Sequence, residues 1–287
     1  AVIGLDGDVK NSTYAEKFFE VFPQRSFQSY IAEQNMVGMG IGLSAKGYLP
    51  FIATFAAFLT RAHDQIRMAG YSFSNIKFVG SHVGVSIGED GPSQMGLEDL
   101  AMFRPIPGCV VLYPCDAYST EGCVESMAKH RGLSYLRTTR PATPLVYSKE
   151  EEFPIGGSKV LRKSENDLAT VIAAGITVHE ALKAYEELKA ENIGVRIIDA
   201  YSVEPLDKEN IRREVEETKG RVVVVEDHFQ NGGLGDAVAQ ALCGRAKITH
   251  LCIKDLPRSG KPAELMDKYA INAKHIKDAI KEMIKES

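Results

Sequence analysis

Short apolar runs alternate with helical patterns along the first half of the chain. Residues 2–5 read as a strand that runs into Asp6-Gly7-Asp8. Ser12 or Thr13 is placed to cap a helix reaching Val21 and carrying Tyr14, Phe18 and Phe19. An aromatic strand end over 27–31 leads into a helix in which Met36, Val37, Met39 and Leu43 recur at buried spacings. Residues 49–54, 76–80, 110–113 and 133–138 follow as strands, with helices expected over 55–69, 97–103 and 119–130. This rhythm predicts a parallel sheet with helices on both faces.

Residues 141–168 interrupt the rhythm with Pro141, Pro144, Pro154, an acidic run at 150–152 and Gly156-Gly157. They read as a linker with room for a hairpin. A second, smaller α/β unit follows, with strands expected over 169–174, 195–198, 221–225 and 248–253. An amphipathic helix over 177–190 places Ala181, Leu182, Tyr185 and Leu188 on one face. Further helices are expected from Asp207, after Gly232-Gly233-Leu234-Gly235, and over 263–286. The fold class is α/β: two consecutive parallel-sheet α/β domains over residues 1–145 and 167–287, with a linker at 146–166.

Composition narrows the classes of function. The chain has 287 residues, enough for two domains, and 44% of them are hydrophobic, enough for substantial cores. A net charge of -4 gives no electrostatic case for nucleic acid. No apolar run has membrane-spanning length. The chain opens on Ala1 directly into strand-like sequence, so no signal peptide is read there and a processed or partial chain is expected. Cys109, Cys115, Cys123, Cys243 and Cys252 contain no C-x-x-C pair, which points to reduced thiols in a cytoplasmic protein.

Candidate chemistry gathers at a few stretches. Glu33 is a single carboxylate in an otherwise uncharged segment at a helix start. It reads either as a helix-dipole glutamate or as a desolvated acid whose pKa burial raises. Small residues at 38, 40, 42, 44 and 45 allow another helix or subunit to approach closely. Phe55 and Phe58 share a helical face, suited to core packing or to stacking on a flat heterocycle. The loop over 80–94 sets His82, Glu89, Asp90 and Gln94 on a glycine-rich frame after a strand, where α/β folds bind ligands. Arg137 and Arg140 follow the next strand, and either can fork onto a phosphate or lie at the surface. The Gly232–Gly235 turn reads as tight packing rather than an anion site.

These stretches together resemble the C-terminal half of transketolases. The matching residues are Gly7-Asp8 with Asn11-Ser12-Thr13, Ile31-Ala-Glu-Gln-Asn-Met36, Thr54-Phe-Ala-Ala-Phe58, and Ser81-His82 with Ser86-Ile-Gly-Glu-Asp-Gly-Pro-Ser-Gln94. Arg140-Pro141, Val225-Glu-Asp-His228 and Pro257-Arg-Ser-Gly-Lys-Pro262 extend the match over essentially the whole chain. The resemblance implies a pyrimidine-binding domain and a C-terminal domain serving thiamine diphosphate chemistry, in which a two-carbon ketol unit passes from a ketose phosphate to an aldose phosphate. It implies that Glu33 hydrogen-bonds N1′ of the aminopyrimidine. Phe55 and Phe58 pack on that ring, Asp8 lies near the cofactor, and Arg61 stands where some transketolases carry a third aromatic. His82, Asp90 and Gln94 then contact the sugar, with His82 close to the chemistry, while Ser12 and Arg140 grip its phosphate.

The half that binds diphosphate and metal in that family has no counterpart here. Val9 replaces the second glycine of a Gly-Asp-Gly metal motif, so no metal site is expected at Asp8. The Mg2+ or Ca2+ ligands are expected on an N-terminal partner subunit, in a heterotetramer that self-associates through the pyrimidine domain. Two alternatives remain: half of a related enzyme (a deoxyxylulose-phosphate synthase, or the beta chain of a 2-oxoacid dehydrogenase), and a non-catalytic scaffold.

Overall fold

The computed structural model describes residues 1–285. Its strands in chain order are β1 Val2–Asp6, β2 Ser26–Gln28, β3 Leu49–Phe55, β4 Lys77–Ser81, β5 Val110–Leu112, β6 Ser134–Arg137, β7 Lys159–Arg162, β8 Thr170–Ala173, β9 Arg196–Asp199, β10 Ser202–Glu204, β11 Arg221–Phe229 and β12 Lys247–Ile253. They form two sheets, ordered β10-β5-β6-β4-β3-β1-β2 and β12-β11-β8-β9-β7. Every pairing is parallel except β10 on β5 and β7 on β9, which add one antiparallel edge strand to each sheet. The expected class of two α/β units with largely parallel sheets is therefore observed. The strand β8 and the Val-rich β11 are buried along nearly their whole length, as strands covered on both faces must be.

Register decides what the first sheet presents. Phe55 at the end of β3 lies opposite Ser81 at the end of β4, and Gly80 lies opposite Arg137 at the end of β6. The residues that follow these strands emerge together at one sheet edge.

Several elements depart from expectation. Ser12 and Thr13 lie inside a short helix, Lys10–Thr13, instead of capping a long one. Tyr14, at φ 59°, breaks the chain before a second helix, Glu16–Val21. The helix expected over 55–69 is split into Ala56–Leu59, a 3-10 turn at Thr60–Ala62, and His63–Tyr71. The C-terminal segment forms Pro262–Lys268 and Ala273–Lys285, turning at Ala270 (φ 59°); Glu286 lies outside the described residues. Strand β7 lies in the stretch read as a linker. β10, three residues long, is too short for a period-2 signature. It follows β9 in sequence yet joins the other sheet.

That exchange reflects a shared interior. Phe103 and Tyr113 from the first half pack in one apolar cluster with Ala200, Val203 and Leu234 from the second. Val85 and Ile87 join Val223, Val225 and Ile253 in another.

Candidate active site

The aligned strand ends build a cavity of about 260 Å³ lined by Ser12, Phe55, His82, Asp90, Gln94 and Arg140. His82 leaves β4 with a positive φ of 59° and stacks on Phe55, with ring centroids 3.7 Å apart and planes 17° apart. Its Nδ1 lies 3.0 Å from Ser81 Oγ. Burial pulls the imidazole down to about 4; Asp90 opposes this and Arg140 adds to it. His82 is thus neutral near pH 7, and the 4.0 Å separation of its Nε2 from Asp90 Oδ2 is a polar contact rather than an ion pair. Arg140 Nε lies 3.4 Å from the same Asp90 oxygen, and its Nη1 donates to Ile87 O at 3.2 Å. Exposed Asp90 and Arg140 and half-buried Gln94 therefore surround an uncharged imidazole on a polar wall.

A second group adjoins the first through Phe55. Phe58 stacks on Phe55 at 5.0 Å, and the Arg61 guanidinium lies over Phe58 at 4.5 Å. Arg61 then pairs with Glu33, the first residue of the Glu33–Ala45 helix. Glu33 is 3% exposed, while the Arg61 side chain is 50% exposed. A buried carboxylate beside two stacked phenyl rings suits an aminopyrimidine, which needs an acceptor for a protonated ring nitrogen and an apolar face. The break after Ala56–Leu59 turns Arg61 into this contact, which the expectation of one continuous helix would have misplaced.

Asp8 is exposed and does not line the cavity. Its backbone is left-handed (φ 68°), and its N–H donates to Asp6 Oδ2 at 2.8 Å and Gln28 Oε1 at 3.1 Å. Among the described residues there is no group of three or more His, Cys, Asp or Glu side chains able to hold a metal ion. On the Glu33–Ala45 helix, a Cβ on Gly40 would lie 2.7 Å from Ile52, whereas Gly38 and Gly42 face open space.

Packing decides Arg137, read as open in the sequence, and adds to the Gly232–Gly235 turn, read there as tight packing. Arg137 is fully buried and donates to both Asp99 oxygens, at 2.7 and 3.2 Å, to Gly96 O at 3.0 Å and to Asp227 O at 2.8 Å. It is neither a surface arginine nor free to bind a phosphate. The Gly232–Gly235 turn does collect an anion, but an internal one. Glu226 accepts from Leu234 N at 2.6 Å and Gly235 N at 2.8 Å, and pairs with His250 Nε2 at 2.6 Å. Burial pulls His250 down, and its hydrogen bonds with Cys252 and Glu226 overcome this to push it up to about 10.

Sequence reasoning missed Asp227. It is buried on β11, far from the cavity in sequence, and accepts from Val85 N and Ser86 N. The Glu-Asp-His run marks the position but gives no hint of its partner.

Comparisons with known proteins bear on the family and the fold. Residues 1–146 match the family model of the transketolase pyrimidine-binding domain, and residues 158–276 match that of the transketolase C-terminal domain. Transketolase-like protein 2 of Mus musculus is 51% identical over 286 residues, covering 99% of this chain and 46% of that protein. Transketolase of Homo sapiens is 50% identical over 286 residues, with 99% and 46% covered. The chain spans about half the length of the curated relatives it matches. The solved structure of a split gene transketolase, an inactive beta4 tetramer, superposes with a TM-score of 0.88 at 34% identity, covering 99% of this chain and 92% of that one. Transketolase of Campylobacter jejuni subsp. jejuni NCTC 11168 superposes with a TM-score of 0.82 at 19% identity, covering 98% and 43%, a likeness of fold. Among the described residues, no helix is long and apolar enough to cross a membrane.

Proposed function

Because the chain belongs to the transketolase family, we propose that it is the C-terminal half of a thiamine diphosphate-dependent enzyme that moves a two-carbon ketol unit from a ketose phosphate to an aldose phosphate. The observation that carries this reading is the convergence of Ser12, His82, Asp90, Gln94 and Arg140 on one cavity, joined through Phe55 to the Phe58–Arg61–Glu33 group.

In this reading Glu33 receives or holds the proton at N1′ of the aminopyrimidine, and Phe55 and Phe58 cover that ring. Asp8 flanks the cofactor, and Arg61, paired with Glu33, closes the edge of the ring's place. Bound there, thiamine diphosphate supplies the carbon nucleophile, which no side chain provides at neutral pH. Neutral His82 both donates to and accepts from sugar hydroxyls, Asp90 accepts from another, and the Gln94 amide binds alongside. Arg140 and the Ser12 hydroxyl hold the distant phosphate, where a guanidinium fork matches the oxygens.

The missing diphosphate and metal ligands, for Mg2+ or Ca2+, are assigned to an N-terminal partner subunit in a cytoplasmic heterotetramer. The small-residue face at Gly38 and Gly42 is the surface on which chains associate. The test is reconstitution. This chain alone should transfer no ketol unit, and mixing it with an N-terminal half should produce transfer from xylulose 5-phosphate. Robust transfer by the chain alone, or activity with pyruvate in place of the sugar phosphate, would refute the reading.

A further inference from the structure

The cavity's polar wall is held in place from the other half of the chain. The short 3-10 turn Val85–Asp90 carries Asp90 and lies just after His82. It is interrupted by non-helical Gly88, so its internal hydrogen bonding is slight and its place depends on outside contacts.

Those contacts come from the C-terminal sheet. Asp227 Oδ1 accepts from Val85 N at 2.7 Å, and Asp227 Oδ2 accepts from Ser86 N at 3.1 Å. The approach is close enough that a Cβ on Gly84, which sits at φ 77°, would lie 2.0 Å from Asp227 Oδ2. The Asp227 carbonyl also accepts from Arg137 Nη2, which holds Gly96 O as well. Gly96 N in turn donates to His82 O at 3.0 Å, and Gly84 N to Gly96 O at 2.8 Å. Asp227 therefore grips the turn directly through its side chain, and its main chain is tied to the His82 backbone by way of Arg137 and Gly96. At the far end, Pro262 and Ser259 lie against Gly88 and Gly91.

The topology makes this placement notable. β8 and β11 are neighbours whose connections run to opposite sides, the switch point at which open α/β sheets ordinarily bind a ligand. Here the Val85–Asp90 turn of the N-terminal half is bonded to one of these two strands, at Asp227 of β11.

We propose that Asp227 is a positioning residue: its carboxylate, presented from the C-terminal sheet, fixes the Val85–Asp90 turn and thereby the setting of His82 and Asp90 in the sugar-binding cavity. The sugar's role rests on the function proposed above. The placement of the turn does not.

The test uses Asp227→Asn, which keeps the shape but sets an amide N–H against one of the two backbone donors. Loss of one charge-assisted bond should raise KM for the ketose phosphate about ten- to a hundredfold in the reconstituted enzyme, with thiamine diphosphate affinity unchanged. In the isolated chain, amide exchange over 84–91 should accelerate while exchange over 50–55 stays as it was. A purely structural residue would lower the melting temperature and leave both selective readouts unmoved; that result, in a folded variant, overturns the proposal. A second measurement needs no variant: the Val85 and Ser86 amides should be among the slowest to exchange between residues 82 and 94. Fast exchange at both would overturn it even if the variant fails to fold. The exchange results stand whether or not ketol transfer is found, so failure of the functional reading is seen separately.

Discussion

Arg61–Glu33 and Arg137–Asp99 pair the same two functional groups within the N-terminal half, and their surroundings make them opposites. Arg137 has no exposure, and its guanidinium meets a carboxylate and two carbonyls; Tyr135 OH also donates to Asp99, at 2.6 Å. Burial alone would push Asp99 up, but Arg137, His228 and Tyr135 together bring it below the ordinary carboxylate value. Arg61 is half exposed and has one carboxylate partner, the buried Glu33. The first pair is sealed in the interior, where no ligand reaches it, even though Arg137 Nη1 has no hydrogen-bond partner among the described residues. The second leaves an acid, a cation and an aromatic face at an open edge. An ion pair at a strand or helix end thus marks a site only when one of its members is open to solvent.

Removing the acid should separate the two pairs most sharply. Glu33→Ala should lower ketol transfer in the reconstituted enzyme by about 10²- to 10⁴-fold, the range for a positioned acid or base, with unfolding little changed. Wild-type turnover would sink the role given to Glu33. Arg137→Met should do the reverse. Stranding Asp99 in the interior should cost about 3–5 kcal/mol in chemical denaturation, and a loss below 1 kcal/mol would show that the pair is not needed for folding.

Asp199 sharpens the comparison because it is a buried carboxylate without an arginine. Its Oδ2 accepts from Tyr147 OH at 2.7 Å, and its Oδ1 has no partner. Burial pushes it up to about 7, against the pull of Tyr147 and Cys115. Because the folded value lies above the unfolded 3.8, its stabilising contribution is complete below pH 3.8 and is lost as pH rises through 7. Denaturation of the parent and of Asp199→Asn should therefore diverge over that window by up to about 1.4 kcal/mol per pH unit, the parent losing stability as pH rises. Parallel curves would contradict it. The smallest change is expected at Arg61→Ala: within about 1 kcal/mol in stability, because the Arg61 side chain is half exposed and water can take its place beside Glu33. A larger loss would mean that the two arginine pairs differ less than their burial indicates.

Much of the candidate site was legible because its residues cluster in sequence. The 80–94 loop places His82, Asp90 and Gln94 on one glycine frame, and Phe55, Phe58 and Arg61 lie within seven residues of one another. Glu33 stood out because a lone carboxylate in apolar surroundings is costly without a purpose or a partner. The pairing of Arg61 with Glu33 was not legible, since it spans 28 residues and Arg61 lies in the 3-10 turn Thr60–Ala62 that breaks the expected helix.

The order of apolar runs determined the α/β class and the two successive units, because strand and helix periodicity is local and survives without knowledge of neighbours. Tertiary structure decided what each polar side chain spends its hydrogen bonds on. Arg137 and Arg140 lie three residues apart on the same strand exit, and packing buries one against Asp99 while leaving the other at the cavity. It also let β10 cross to the first sheet and brought Asp227 onto a loop 142 residues away. Such long-range contacts depend on where two sheets meet, a property of the packed chain that no window of its sequence contains.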